Sequence, residues 1–431
     1  MPIRLRGLFC YMLPNKCWLR SAGSYNGCVT KQLIFVVLLL AATGAVAAIW
    51  AVRGWDASSP LDNSEPLIDS GNEETESPQP AATPTIHSPE LKSFALPDLQ
   101  RHERSGQPQP LFENVPAAES GIDAAFRIDR RHPLQRLYVS GFACGGIAVG
   151  DVDGDGLVDL FVAGTHDPNR LYRQHSPLKF EDVSDMAGIN ETNHWGSAAA
   201  MIDLDGDADM DIYVCNYDSP NQLFLNDGQG AFTESAKSFG LDVTDASLMP
   251  YFCDYDIDGD LDLFLLTNRF YREGGLPTTP TAEVVDGRPR LLPQYEKYYQ
   301  LVEVSPGKMV TNLVPRRDRL FRCERSADGS ATYKDVSDSA GITAVGHGLS
   351  AIWWDYDEDG LPDLYVCNDY DDPDHLYHNN GDGTFHDVIA DVMPHTPWFS
   401  MGSDAADVDG DGRLDLLVAD MSATTHYKSK T

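Results

Sequence analysis

From residue 151 onward the same nine-residue line returns five times: DVDGDGLVD (151–159), DLDGDADMD (203–211), DYDIDGDLD (254–262), DYDEDGLPD (355–363) and DVDGDGRLD (407–415). The starts lie 52, 51, 101 and 52 residues apart. Each copy runs into a short apolar stretch: Leu160–Ala163, Ile212–Cys215, Leu263–Leu266, Leu364–Cys367 and Leu416–Ala419. About ten residues after the last Asp stands a second strand signal, NRLYR (169–173), NQLFLN (221–226), DRLFR (318–322) and DHLYHN (374–379). An aromatic-led, turn-prone segment follows: FEDVSDMAGI (180–189), FTESAKSFGL (232–241), YKDVSDSAGI (333–342) and FHDV (385–388), with a further copy, FENVPAAESGI (112–122), ahead of the first loop. A period near fifty residues holding four short strands predicts a propeller blade. Helical solenoids are excluded because the apolar runs are short, β-branched or aromatic, and bounded by Gly, Asp and Asn. The 101-residue interval is one repeat with an insertion, since Asp262 to Asp318 spans 56 residues where Asp159 to Asn169 spans 10. The expected fold is all-β: a propeller with one decorated blade.

Asp at positions 1, 3, 5 and 9 places oxygens around one point, and a turn brings in the carbonyl at position 7. Six to eight hard oxygens are what calcium takes, whereas the strict octahedron of magnesium suits such loops poorly. The candidate ligands are Asp151, Asp153, Asp155, Leu157 and Asp159; Asp203, Asp205, Asp207, Asp209 and Asp211; Asp254, Asp256, Asp258, Asp260 and Asp262; Asp355, Asp357, Asp359, Leu361 and Asp363; and Asp407, Asp409, Asp411, Arg413 and Asp415, the position-7 residue offering its carbonyl in each. An EF-hand needs Glu at position 12, but Val162, Val214, Leu265, Val366 and Val418 stand there. In the second copy Ala208 replaces the Gly of position 6; a left-handed backbone there would cost about 1 kcal/mol and weaken that site. Solvated turn caps are the competing account of one loop, but five in register with strands favour a cation, because four bare carboxylates per blade repel.

The 431 residues carry 66 acids against 32 bases, a net charge of −34. Such a balance excludes a phosphate-binding nucleic-acid face and a basic lipid-docking face. Five bound Ca²⁺ would bring −34 to −24, ten charges fewer. Eight cysteines include no C-x-x-C pair, so neither zinc ribbon nor redox motif is expected, and buried free thiols are.

These loops resemble the FG-GAP or VCBS repeats of the integrin-alpha-like β-propellers. The F-x-D-V-x-x-x-A-G-I segments and the closing DMSATTHYKSK (420–430) are similar to the ASPIC/UnbV-associated, cartilage acidic protein-like exported proteins. The resemblance covers 111–431 and implies a seven-bladed type of propeller, structural calcium and a binding or adhesive role without catalysis. Five loops where seven are usual, and no ASPIC/UnbV domain, imply a truncated product; closure by the N-terminal strand or another copy is the alternative.

Residues 33–52, LIFVVLLLAATGAVAAIWAV, are uncharged and long enough to cross a bilayer. Arg4, Arg6, Lys16, Arg20 and Lys31 precede them and no acid does before position 56. Residues 1–32 are therefore expected inside and the bulk of the chain outside the cytoplasm; the rival is a signal peptide cleaved near Ala47. Residues 53–110 form an acidic, proline-rich linker, with nine prolines, ten acids and three bases over 54–110.

No G-x-S-x-G, H-E-x-x-H, Walker loop or G-x-G-x-x-G stands where a mechanism needs it. His166, His194, His347 and His375 fall in turns near the loops and are expected as hydrogen-bonded turn elements; Trp353 and Trp354 are expected in the core. The insertion, 271–317, combines Tyr271, Tyr295, Tyr298 and Tyr299 with Arg288, Arg290, Arg316 and Arg317, a composition found at recognition sites, and a packed lid is its other reading. Asn190-Glu191-Thr192 is a glycosylation sequon. The expected function is a membrane-anchored, exported, calcium-stabilised module binding protein or glycan. The alternative is a polysaccharide lyase or hydrolase on a propeller scaffold.

Overall fold

The computed structural model describes residues 8–11 and 114–421, except 125–128, 130, 141–142, 190–193 and 371. The predicted segment 33–52, the linker and the sequon lie outside the described residues. Among the described residues no helix is long and apolar enough to cross a membrane.

The fold is all-β and propeller-like. Sheet one comprises β1 (Gly146–Gly150), β2 (Asp159–Ala163), β3 (Arg170–Ser176) and β4 (Lys179–Asp182). Sheet two comprises β5 (Gly196–Ile202), β6 (Asp211–Pro220), β7 (Gln222–Asn226) and β8 (Phe232–Glu234). Sheet three begins with β9 (Thr244–Cys253) and β10 (Asp262–Thr267). The insertion then forms two hairpins, β11 (Ala282–Val285) with β12 (Arg288–Leu291) and β13 (Tyr299–Ser305) with β14 (Lys308–Leu313), and the short β15 (Arg316–Arg317). Sheet three closes with β16 (Arg319–Arg325) and β17 (Ala331–Asp335); β15 pairs with β18 (Val345–Gly346). Sheet four comprises β19 (Gly348–Trp354), β20 (Asp363–Asn368), β21 (His375–Asn379) and β22 (Phe385–Asp387). Sheet five has β23 (Ser400–Ala406) and β24 (Asp415–Asp420). Its open edge carries Leu8–Tyr11 in parallel with β24; an unpaired edge accepts extended segments readily. Sheets two and three are continuous through Thr244–Ala246 of β9 and the end of β6.

Apart from the parallel edge segment Leu8–Tyr11, all pairings within these five sheets are antiparallel, in chain order. The register repeats: Gly150 faces Asp159, Ile202 faces Asp211, Cys253 faces Asp262, Trp354 faces Asp363 and Ala406 faces Asp415. Each Asp line is thus the turn that closes the first hairpin of its sheet.

The second strands of sheets two, three and four are apolar on both faces because each of these sheets is packed on both sides. Ile212 and Val214 join Phe161 and Leu171 in the layer between sheets one and two, while Tyr213 and Cys215 meet Leu263 and Leu265 between two and three. Phe264 and Leu266 pack with Leu364 and Val366, and Tyr365 packs with Val418. Alternate residues of one strand therefore serve two neighbours, which gives continuous apolar runs rather than polar alternation. Trp354 is buried and Trp353 packs on Tyr255 with parallel rings 6.3 Å apart. Cys144, Cys215, Cys253, Cys323 and Cys367 are free thiols, buried or half-buried.

Candidate functional site

Three hydrogen bonds recur in all five Asp loops. The carboxylate at position 1 accepts from the N–H of position 6: Gly156 to Asp151 (2.7 Å), Ala208 to Asp203 (3.0 Å), Gly259 to Asp254 (3.0 Å), Gly360 to Asp355 (2.9 Å) and Gly412 to Asp407 (3.0 Å). The carboxylate at position 5 accepts from position 7: Leu157 to Asp155, Asp209 to Asp207, Asp260 to Asp258, Leu361 to Asp359 and Arg413 to Asp411, at 2.8–3.1 Å. The carboxylate at position 9 accepts from position 2, at 2.9 Å for Val152 to Asp159 and Leu204 to Asp211 and 3.1–3.3 Å for Tyr255 to Asp262, Tyr356 to Asp363 and Val408 to Asp415.

Position 9 does more. Asp159, Asp211, Asp262 and Asp363 each accept a second N–H from the third strand, from Gln174, Asn226, Cys323 and Asn379 at 2.8–2.9 Å. All four are at most 1% exposed. Asp415, after whose strand no antiparallel third strand follows among the described residues, is half-buried.

The backbone enters the left-handed region at both positions 4 and 6. Ala208 does so at φ 75°, as its place in the line predicts, and Ile257 and Glu358 do so at position 4 with φ 57° and 63°. The sequence signal for position 4 is Gly in only three copies, so that requirement is hidden.

The carboxylates converge as a cation needs. One oxygen from each of Asp151, Asp153 and Asp159 lies within 4.8 Å of the others, and the same holds for Asp203, Asp205 and Asp211, for Asp254, Asp256 and Asp262, and for Asp355, Asp357 and Asp363. Asp205 Oδ1 and Asp256 Oδ1 are buried without a hydrogen-bond partner, which is costly unless a cation meets them. Burial first, and neighbouring carboxylates after it, push Asp262 up to about 7 and Asp211 and Asp363 up to about 6, against bonds from the backbone that lower them. These residues fit a hard divalent ion, whose charge reverses that logic. Some compensation is already present: Arg173 lies 3.2 Å from Asp153, and Arg325 pairs with Asp260. In the fourth loop His378 comes within 4.8 Å of Asp357 and Asp359, a neighbour the line itself does not reveal.

At the opposite end of the sheets run the connections from second to third strands. There the four histidines have distinct settings: His166 bonds Tyr138 Oη (2.7 Å), His347 bonds Asp372, and His375 bonds Asp387 (2.7 Å), while His194 stands at the start of sheet two. The insertion's arginines are mostly engaged elsewhere. Arg288 and Arg290 sit exposed on a hairpin, Arg316 clasps the buried Asp245 (2.7 and 2.9 Å), and Arg317 caps the Ile342 carbonyl and pairs with Asp338. Beside them two adjoining cavities of ≈ 660 and ≈ 190 Å³ share Arg136, Tyr271, Gly275 and Tyr370. Tyr298 and Tyr299 line the smaller one and Tyr295 is buried.

The repeated hairpin loops define a class: propeller-like proteins with an acidic turn at the head of each sheet. The family model for the FG-GAP-like repeat matches residues 151–214, 203–265 and 355–418, so the chain carries FG-GAP-like repeats over these residues. It is similar to cartilage acidic protein 1 of Homo sapiens (21% identical over 58% of this chain and 32% of that protein), of Mus musculus (22% over 53% and 30%) and of Xenopus tropicalis (26% over 52% and 28%). The chain thus spans about a third of the length of the curated relatives it matches. Among solved structures it is similar to the V. cholerae biofilm matrix protein Bap1 (16% identical, 64% of this chain and 34% of that one, TM-score 0.31). It is also similar to an Agrocybe aegerita lectin specific for non-reducing terminal N-acetylglucosamine (14%, 57% and 65%, TM-score 0.25). Superpositions this loose carry no argument about ligand.

Proposed function

We propose that the chain is a non-catalytic binding module, anchored by residues 33–52 with its bulk outside the cytoplasm, in which calcium holds the loops and a protein or carbohydrate ligand is met at the opposite end. The repeats act as blades of a seven-bladed type of propeller. The observation that carries this reading is the convergence of positions 1, 3 and 9 in four successive loops beside the orphaned oxygens of Asp205 and Asp256. The second oxygen of position 5 and the carbonyl of position 7 complete the set that calcium requires. Calcium would lock the turn of each first hairpin and so couple ion binding to folding. With the acids committed to one end, the other end, where the insertion and the cavities gather, is left for recognition.

The test is thermal unfolding of the full chain in detergent, with millimolar Ca²⁺ and again with excess chelator. A large calcium-dependent rise in Tm is expected, reduced in Asp256→Asn. A cooperative melt indifferent to chelator would sink the calcium reading and leave the Asp lines as turns only.

A further inference from the structure

Arg272 is a half-buried cation in a strongly acidic chain, and among the described residues no carboxylate lies within ion-pair reach of it. Its guanidinium donates to the Gly275 carbonyl (2.9 Å) and lies 5.6 Å from the Tyr295 ring centre. Nearby cations are treated differently: Lys297 pairs with Asp218 (2.6 Å), Arg316 with Asp245 (2.7 Å) and Arg317 with Asp338 (2.8 Å). Arg272 lines the smaller cavity together with Arg136 and Arg269, and Arg136 also lines the larger.

Aromatic rings fix this group. The Arg269 guanidinium lies 4.5 Å from the Tyr370 ring centre and 5.2 Å from that of Tyr271, and it donates to both hydroxyls (3.0 and 3.2 Å). Tyr370 remains 40% exposed, so part of its ring is left to a ligand. Arg136 rests against Gly275 so closely that a Cβ there would stand 2.3 Å from its Nε. Guanidinium groups recognise planar carboxylates and sulfates through paired hydrogen bonds. Tyrosine rings supply apolar faces with a polar rim, and the cavity volume is that of a small-ligand site.

We propose that this cavity binds an anionic saccharide, a sugar carrying a carboxylate or sulfate, with the acid group on Arg272 and Arg136 and the sugar ring against Tyr370 and Tyr271. It rests on the binding-module reading and adds the ligand class. The rings and the concave shape favour a sugar over an acidic peptide, and the clustered guanidinium groups favour an acidic over a neutral sugar, in a molecule whose overall field repels anions.

The test is calorimetric titration of the calcium-loaded full chain with a uronic-acid disaccharide and a sulfated disaccharide, against the methyl ester and the desulfated sugar. At least one acidic sugar should bind about tenfold or more tighter than its neutral counterpart, about 1.4 kcal/mol, and lose affinity in high salt. Arg272→Gln and Gly275→Ala should each weaken it about tenfold, while Arg290→Gln on the exposed hairpin leaves it unchanged. Equal binding of acidic and neutral sugars, binding of neither acidic sugar, or displacement of both by a poly-glutamate peptide overturns the proposal. Inorganic sulfate competing as well as the sugars overturns its saccharide part. Because the calcium-dependent melt is measured separately, failure here with that melt intact removes only the ligand assignment.

Discussion

The side-chain amide of Asn226 donates to the backbone carbonyl of Val152 at 2.8 Å, although the two residues are 74 apart in the chain and belong to different sheets. The same nitrogen reaches the Met210 carbonyl of its own loop, and Asn226 Oδ1 accepts from Gly230. Asn379 repeats the arrangement on Tyr255 and Pro362. In sheet three, where Cys323 holds the corresponding place, Arg325 bonds the Asp205 carbonyl instead. Each of these side chains ties its sheet to the Asp loop of the preceding one, so the loops staple neighbouring sheets as well as closing hairpins.

Asn226→Ala should therefore leave two carbonyls without this donor and cost about 2 kcal/mol, read as a lower urea midpoint in saturating calcium. Asn379→Ala should cost a similar amount, and the two losses should add, since the sites share no partner. A loss under about 0.5 kcal/mol for either would show that the staple contributes little.

Ile257 holds position 4 of the third loop at φ 57° and is 58% exposed. A β-branched residue in the left-handed region is strained, and little burial is lost on removing it. Ile257→Gly should stabilise the protein by about 1 kcal/mol, the strain relieved exceeding the chain entropy that glycine adds. Unchanged or lower stability in chelator and in calcium alike would contradict this.

The period and the placement of each Asp line directly ahead of an apolar strand were legible because alternating carboxylates and a continuous apolar run are local signals, whereas the strand that precedes each line carries no such mark. The rim turns were legible too, since the turn-prone segments 180–189 and 333–342 each turn through a left-handed glycine, Gly188 and Gly341. The second role of Asp262, holding Cys323 61 residues on, has no local signal. The cations of the cavity have no local signal either. Composition singled out Arg288, Arg290, Arg316 and Arg317, yet a hairpin carries the first two away and Asp245 and Ile342 engage the others, while Arg136 arrives from before sheet one. Which end of a sheet a loop occupies follows from topology, not from the loop's own residues.

Burial above all pushes the Asp318 carboxyl up to about 7, from an ordinary 3.8, although the N–H and hydroxyl of Thr267 both donate to it. A carboxyl raised on folding contributes stability that is fully present below its unfolded pKa and is lost as pH rises through about 7. Asn169 and Asn221 make the same backbone bond in sheets one and two, so Asn fits the place. Sheet three, however, has Phe264 where Tyr213 and Tyr365 offer hydroxyls in sheets two and four. Asp318→Asn should thus cost about 1–3 kcal/mol at pH 5, and gain about 2–4 kcal/mol on the wild type between pH 5 and pH 8. Parallel stability curves for the two proteins would refute the assignment.

Gly240 ends the turn after sheet two at φ 75°, and a Cβ on it would stand 2.7 Å from the carbonyl oxygen of Tyr333 in β17. Gly188 and Gly341 stand equally close to the carbonyls of Phe232 and Phe385, so the rim of each sheet seals on the outer strand of the next. Gly240→Ala should meet both a steric clash and an unfavourable backbone, and lose about 2–4 kcal/mol. Gly287→Ala, in the β11–β12 turn at φ 76° with nothing within 4 Å, meets the backbone term alone and should lose about 1 kcal/mol. Measured side by side by urea unfolding, the two variants separate the clash from the dihedral. Equal losses would mean that the rim contact yields without cost, and that the sheets are held together by the buried layers and the loop staples instead.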